Sequence, residues 1–538
     1  MDAHDVYVGL DLGTSALKAV AADASGTIVA TARADYPTAR PETGASEQSP
    51  HDWMTAARLA VADLQRAVDP MRWRGIGLSG MIPTLVLADA EGRVLAPAIT
   101  WEDARAEPFG DALRDAVGAD ELYRRTGQWL DGRYLLPMAI RLAVLDRLPA
   151  DATSLLGAKD WLLGQLTGHY VTDPSTATGT GCYHLATGEL DHDVLAAADG
   201  LAGRALPRPS PVRPSTTTYP LLAQVADDLG LPVGLPVAVG AADSVSAVLG
   251  LGVRAVGDVV HLAGTSTVII GVSDVLHVDA EHRFLVTPLA LEGYGFEMDL
   301  LATGSGMAWL GRLLGVAAGI SAESGAAFDV GGPATAGSVT AVRAPGAAGV
   351  SGGGGLVAGA SRAAAVAALA GGVPPDDPGV PVFLPYVAPG EQGALWDASL
   401  TGEVHGLTMR TRPADLARAF RNGLVVESRR CLKVLAHVVP RLGDVHAAGQ
   451  GVDAGLQADL ADATGRTVHP CGDETAAHSA YGAAAIAATA CGADDFVVAH
   501  VAHGAPVVAD PSRAQTWSAI AHRHDAARAR QVTTRRSG

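Results

Sequence analysis

Lysine is nearly missing from this chain: Lys18, Lys159 and Lys433 are the only three in 538 residues. None follows a glycine-rich loop and no GxxxxGK[ST] segment exists, which excludes a P-loop nucleotide site. No GxGxxG fingerprint follows the first strand, so the usual dinucleotide cradle is excluded as well. Positive charge is short overall. With a formal net charge of −18 and a pI near 5.3, the surface repels polyphosphate backbones and anionic lipids. Neither nucleic acid nor a membrane is an expected partner. ATP is not excluded by the same argument, because local N–H groups can bind it and the overall field is screened within ~8 Å. The four cysteines, Cys182, Cys431, Cys471 and Cys491, form no CxxC pair and no His-flanked metal pattern, so they read as reduced core thiols. No apolar run approaches the ~20 residues of a membrane span. No basic stretch precedes the first apolar strand, and the cytoplasm is the expected compartment.

What the chain does have is length, alanine and glycine. Its residues are 48% hydrophobic and 18% charged, with aromatics at 5%, so the cores rely on close helix–sheet packing rather than on large rings. A chain this long predicts two domains. Strands are expected near residues 6–34, separated by a tight turn and by a hairpin at Asp23-Ala24-Ser25-Gly26. A helix is expected over Asp52–Val68 and a strand over Arg74–Ser79, with alternation continuing to a β-type run at Leu235–Val239. At Gly257 the opening repeats: Asp258–Leu262, then Ala263-Gly264-Thr265-Ser266-Thr267, then Val268–Val272. It echoes Val8–Asp11 with Leu12-Gly13-Thr14-Ser15, and the two echoes predict two α/β lobes of similar plan.

The expected boundaries are 1–253 for the first lobe, 254–500 for the second and 501–538 for an extension. The Ala/Gly-rich stretch 315–380 reads as a surface excursion of the second lobe. Arg412 to about Val439 is the clearest helix, and the arginines of the last fifteen or so residues read as a frayed, solvated tail.

Four short segments could carry chemistry. Asp11-Leu12-Gly13-Thr14-Ser15 ends an apolar strand in a turn whose N–H groups and hydroxyls suit phosphate oxygens. Asp11 there suits Mg²⁺ held through water; an ordinary hairpin is the alternative. Gly240-Ala241-Ala242-Asp243 leaves a carboxylate uncovered among small residues, where it can take a proton from an attacking hydroxyl or cap the following helix. Gly264, Thr265 and Ser266 could grip a phosphate from the other side. Gly449, Gln450 and Gly451 could let an adenine or ribose lie on bare backbone. Each of these two segments also reads as a plain turn.

In this order the segments resemble the FGGY family of carbohydrate kinases, of the actin and heat-shock chaperone ATPase superfamily. Val8–Ser15 with Lys18 is similar to its first phosphate motif, and Glu47-Gln48-Ser49-Pro50 with Trp53 to its EQxP…W signature. Trp101-Glu102-Asp103-Ala104-Arg105 is similar to W-x-D-x-R. Lys159-Asp160, Leu166-Thr167-Gly168 and Thr172-Asp173 match the KD…LTG…TD stretch, and Phe383-Leu384-Pro385-Tyr386 with Gly390-Glu391 the C-terminal signature. The likeness spans about residues 6–490.

It implies an α/β fold of two ribonuclease-H-like, actin-like ATPase lobes around a central cleft. It also implies ATP and Mg²⁺ as cofactors, a small sugar as acceptor, and Asp243 as the catalytic base. Asp11 would serve the metal, and Gly13, Thr14, Ser15, Lys18, Gly264, Thr265, Ser266, Gly449, Gln450 and Gly451 the nucleotide. Met81, Ile82, Trp101, Asp103, Arg105 and Asp243 would lie on the acceptor side. A homodimer is compatible with this. Pentulose kinases of the xylulose type carry SGQMHG where this chain has Ser79-Gly80-Met81-Ile82-Pro83-Thr84, so Pro83 replaces a sugar-facing His. A xylulose-like pentulose is the first expectation, gluconate or a polyol the next, and a non-catalytic sugar- or nucleotide-binding protein the rival class.

Overall fold

The computed structural model describes residues 5–316, 354–388, 393–395, 397, 400–439, 441–449, 451–472, 477–493, 496, 498 and 504–536. Gln450 and the Gly390-Glu391 pair lie outside the described residues, as does 317–353 of the Ala/Gly-rich stretch.

The first lobe is built on a six-stranded sheet. Its strands are β1 (Val6–Leu12), β2 (Ala16–Asp23), β3 (Ile28–Asp35), β4 (Trp73–Gly80), β5 (Thr218–Pro220) and β6 (Pro236–Ala242), in the spatial order β5-β6-β4-β1-β2-β3. β1, β2 and β3 run antiparallel as a meander, while β4 and β6 add in parallel on the other side of β1. Every residue of β1 is buried, as a central strand covered on both faces must be. On one face lies helix α1 (Pro50–Gln65), which buries Trp53, Ala56, Ala57, Ala60, Val61 and Leu64 at helical spacing. Trp53 meets Trp161 of α2 (Ala158–Thr167) edge to face, 6.0 Å between centroids, a geometry worth ~0.5–1.5 kcal/mol beyond area burial. A short helix α3 (Pro174–Thr178) follows, and β6 runs straight into α4 (Asp243–Gly250).

The second lobe repeats the plan. Its strands β7 (Val259–Ala263), β8 (Thr267–Ser273), β9 (Leu285–Pro288), β10 (Tyr294–Leu300), β11 (Val445–Ala448) and β12 (Val468–Pro470) lie in the order β9-β10-β8-β7-β11-β12. Again a meander, β7-β8-β10, is extended in parallel by two later strands, β11 and β12. The Ala/Gly-rich stretch contains helix α5 (Gly354–Gly371), whose Val366 and Ala370 are fully buried against the long helix α6 (Pro413–Val438). Part of the expected excursion is therefore core.

The lobes are joined by two crossing helices. The far end of α4 (Val248, with Leu251 and Val253 just beyond) packs under β7 and β8, on Val260, Ile270 and Val272 of the second lobe. In return α7 (His478–Ala490), from the second half of the chain, lies on β1, β4 and β6 of the first. Gly9 and Gly482 make the approach possible. A Cβ on Gly9 would sit 1.7 Å from the Ala480 carbonyl oxygen, and one on Gly482 would sit 1.8 Å from that of Ser246.

The last fifteen or so residues, expected as a frayed, solvated tail, instead continue, as far as Arg536, a helix α8 (Ala514–Arg536) that begins before them. Trp517, Ile520, Ala521, His524, Ala527 and Gln531 recur every three or four residues and are buried, while Asp525 pairs with Arg430 of α6 at 2.8 Å. The arginines lie between these anchors and mask the stripe in a composition reading.

Candidate active site

The cleft chemistry starts at the carboxyl ends of β1, β4 and β6, where parallel strands present their last residues side by side. On β1, Tyr7 and Gly9 face the crossing helix α7, and Asp11 shares their face by strand alternation. Asp11 is buried, accepts a hydrogen bond from Ser79 Oγ at 2.9 Å, and lies opposite Lys18 in the ladder. Burial pushes its carboxyl above the usual range, against the pull of Lys18 and Ser79.

Asp243 directly follows β6, which lies on the far side of β4 from β1. Ala242 occupies the cap position and Asp243 is the first residue of α4, so its side chain is not the cap. Ser175 Oγ holds the Ala242 N–H at 2.9 Å, and Ser479 of α7 donates to the Asp243 carbonyl at 2.9 Å. Asp243 is half-buried, and its carboxyl is pushed up to about 7, chiefly by desolvation and next by the charge of Asp11. A carboxylate with that affinity is half-ionised at neutral pH, which is where a general base works best.

The first turn directly follows the strand of Asp11, and the second leads into Thr267, which pairs with Leu300 of β10. Gly13–Ser15 joins β1 to β2 and is half-buried. Gln48 Nε2 donates to the Thr14 carbonyl at 2.7 Å, Trp101 Nε1 to Thr14 Oγ1 at 3.0 Å, and Tyr36 to the Gly13 carbonyl. Trp53 in turn fixes Gln48 by donating to its Oε1 at 2.9 Å. The EQxP…W signature is thus the brace of the first turn.

Gly264–Ser266 joins β7 to β8. Gly264 and Thr265 are exposed, and Gly304 and Ser305 N–H groups donate to their carbonyls at 3.1 and 3.0 Å. Beside this turn Gly449 adopts a positive φ of 104°, and a Cβ there would meet the Ala263 carbonyl oxygen at 2.3 Å. Gly451 donates to the same carbonyl at 2.8 Å. The second turn and the Gly449/Gly451 segment are therefore adjacent.

Met81 leaves β4 between the two carboxylate-bearing strands, its N–H bonded to the Leu12 carbonyl at 2.9 Å, and Ile82 follows half-buried. Trp101 reaches the first turn, as its bond to Thr14 shows. Asp103 and Arg105 do not share that arrangement. Asp103 is buried, accepts from Ser46 N–H at 2.9 Å and pairs with Arg105 at 2.7 Å, while Arg105 also holds Glu42 and Glu47 at 2.7 Å each. Their hydrogen bonds clamp the 42–47 loop rather than pointing to Asp11 or Asp243.

Two carboxylates were not anticipated. Glu297 and Asp299 occupy alternate positions of β10, opposite the buried face of Phe296, Met298 and Leu300. Glu297 Oε2 is 3.4 Å from Ser244 Oγ, next to Asp243. Burial and mutual repulsion push Glu297 well above the carboxylate range, and burial pushes Asp299 to about 6. The alternation in Tyr-Gly-Phe-Glu-Met-Asp-Leu was the available signal, but it also describes any strand with one wet face.

Residues 6–250 match the model of the N-terminal domain of the FGGY family of carbohydrate kinases, and residues 259–491 match that of its C-terminal domain. A xylulose kinase of Klebsiella pneumoniae is 29% identical over 428 residues, 78% of this chain and 76% of the relative. A gluconokinase of Bacillus subtilis (strain 168) is 25% identical over 425 residues, 78% and 74% respectively. Among solved structures, a xylulose kinase from Rhodospirillum rubrum superposes with a TM-score of 0.80 at 26% identity, covering 98% of this chain and 99% of that one.

Proposed function

The chain belongs to the FGGY family of carbohydrate kinases, and from that premise we propose that it phosphorylates a xylulose-like pentulose with ATP, using Asp243 as general base. One observation carries the reading. A carboxylate raised to about 7 stands just beyond the end of β6, repelled by a second strand-end carboxylate, Asp11, whose strand runs directly into the Gly13–Ser15 turn.

In this reading Gly13, Thr14, Ser15 and Lys18 contact the phosphates from the first lobe, and Gly264, Thr265 and Ser266 grip them from the second. Gly449 and Gly451 leave backbone bare for the adenosine. The acceptor lies over Met81 and Ile82 beside Trp101, with one hydroxyl turned to Asp243. As that oxygen attacks the γ-phosphorus, Asp243 takes its proton, a contribution of ~10²–10⁴ in rate. Closing the lobes matters because a water in the acceptor's place would hydrolyse ATP.

Asp11 fits a magnesium ion: it is a hard oxygen donor, and among the described residues no group of three or more metal-binding side chains competes for the role. The ion, when bound, supplies positive charge across the phosphate oxygens. The acceptor is better uncharged than an aldonate, since the ionised forms of Asp243 and Asp299 would repel a carboxylate near the base. Among the described residues no helix is long and apolar enough to cross a membrane.

The test is ADP release over a panel of pentuloses, polyols and aldonates. The expected outcome is the highest kcat/KM for a pentulose. Preference for gluconate overturns the acceptor, and ATP binding with no acceptor phosphorylated overturns the kinase reading in favour of a binding protein.

A further inference from the structure

Below the Met81–Pro83 segment lies a small cavity of about 10 Å³, room for one water-sized guest. Its polar side chains are Thr84, Asp160, Thr172, Thr176, Thr180 and Ser210, all ending in oxygen, with no nitrogen donor among them. Thr84, Thr176 and Ser210 are 1%, 7% and 5% exposed, and their hydroxyls have no hydrogen-bond partner among the described residues. Buried hydroxyls are rarely left so, and here three face one space.

The charge around this space does not balance. Lys159, 1% exposed, lies 2.7 Å from Asp160 Oδ1 and 2.9 Å from Asp173 Oδ1. Two buried carboxylates share one ammonium, so with both ionised one negative charge beside the cavity has no counter-charge within this group. Burial holds the Asp160 carboxyl above its ordinary value despite Lys159 and the Thr172 hydroxyl. A water would satisfy the hydroxyls and leave that charge in place. A divalent ion would ask for more than the one carboxylate that lines the space.

We propose that this cavity is a monovalent cation site, binding Na⁺ or K⁺ through the hydroxyls of Thr84, Thr176 and Ser210 and the carboxylate of Asp160. All-oxygen ligands with a single formal charge are what a hard alkali cation selects. The site couples to the cleft on two sides. Thr176 belongs to α3, whose Ser175 Oγ holds the Ala242 N–H at 2.9 Å, one residue before Asp243. Thr84 stands, buried, at the far end of the segment that begins at Met81. The bound ion ties the acceptor wall to the base-bearing strand end, and so acts as a positioning element for the base.

The experiment compares the full-length protein in sodium, potassium and tetramethylammonium chloride at equal ionic strength. Melting temperature, turnover by direct ADP quantification, and anomalous scattering from Tl⁺-soaked crystals are recorded. The melting temperature rises by several degrees in one or both alkali salts, turnover falls several-fold in tetramethylammonium, and a Tl⁺ peak appears between Thr176 and Ser210. Thr176→Val abolishes the salt dependence, and Ser210→Ala does so independently should the first variant not fold. Equal melting in all three salts, or Tl⁺-soaked crystals without a peak in the cavity, overturns the proposal. Melting and scattering do not depend on the kinase reading, so its failure would be seen separately.

Discussion

The two strand–turn–strand units share a plan and differ in chemistry. In the first, Asp11 stands two residues before Gly13 and faces Lys18 across the ladder. At the same places in the second are Leu262 and Val268. The first turn is braced by side chains from three separate segments, Gln48, Trp101 and Tyr36. The second is exposed and is held mainly by main-chain bonds from Gly304 and Ser305. The two lobes share a plan but differ in build: charge and a braced turn in the first, an exposed turn in the second, which in the proposed reading faces the phosphates. Asp243 sits on the helix that crosses from one to the other, so the proposed base is carried by the joint itself.

That contrast can be broken at its strongest point by Asp243→Asn. The variant is expected to lose ~10²–10⁴ in kcat with nucleotide affinity, measured by calorimetry, nearly unchanged. Retained turnover would remove Asp243 from the base role. Next in size, Asp11→Asn should lower kcat by about a hundredfold at ordinary Mg²⁺ and recover part of it at high Mg²⁺, a loss of about 2.7 kcal/mol of transition-state stabilisation. A loss indifferent to Mg²⁺ would assign Asp11 a purely structural part. Smallest and most pointed is a pair of brace removals. Gln48→Ala frees the first turn and should cost about tenfold in kcat/KM for ATP, the equivalent of about 1.4 kcal/mol. Ser305→Ala removes only the Oγ bond to the Thr265 carbonyl at 2.9 Å and should cost less than about threefold. Equal effects would erase the proposed asymmetry.

Legibility in the sequence followed the range of the interactions. Asp11 with Gly13–Ser15, and Gly264–Ser266, could be found because a strand, a glycine and two hydroxyls lie within a few residues of each other. The paired meanders followed from the same repetition. Helix α7 could not be placed, since its alanine- and glycine-rich face reads equally as core of its own lobe, and Gly9, which receives it, lies near the other end of the chain. Glu297 and Asp299 were missed because period-two alternation does not say whether the polar face meets solvent or a cleft. Asp103 and Arg105 were read as acceptor groups on the strength of a motif, whereas their bonds run to Ser46, Glu42 and Glu47. Composition misjudged α8 because six anchoring positions were diluted among arginines.

The central claim is that a carboxylate of raised proton affinity awaits the acceptor where the two lobes meet. Its most direct test is the pH dependence of kcat/KM for MgATP at saturating pentulose, between pH 5 and 9. Because Asp243 must be ionised to accept a proton and burial holds it near 7, the rate should fall about tenfold per unit below a midpoint near 7 and level off above it. A profile flat from pH 5.5 to 8 would contradict the account.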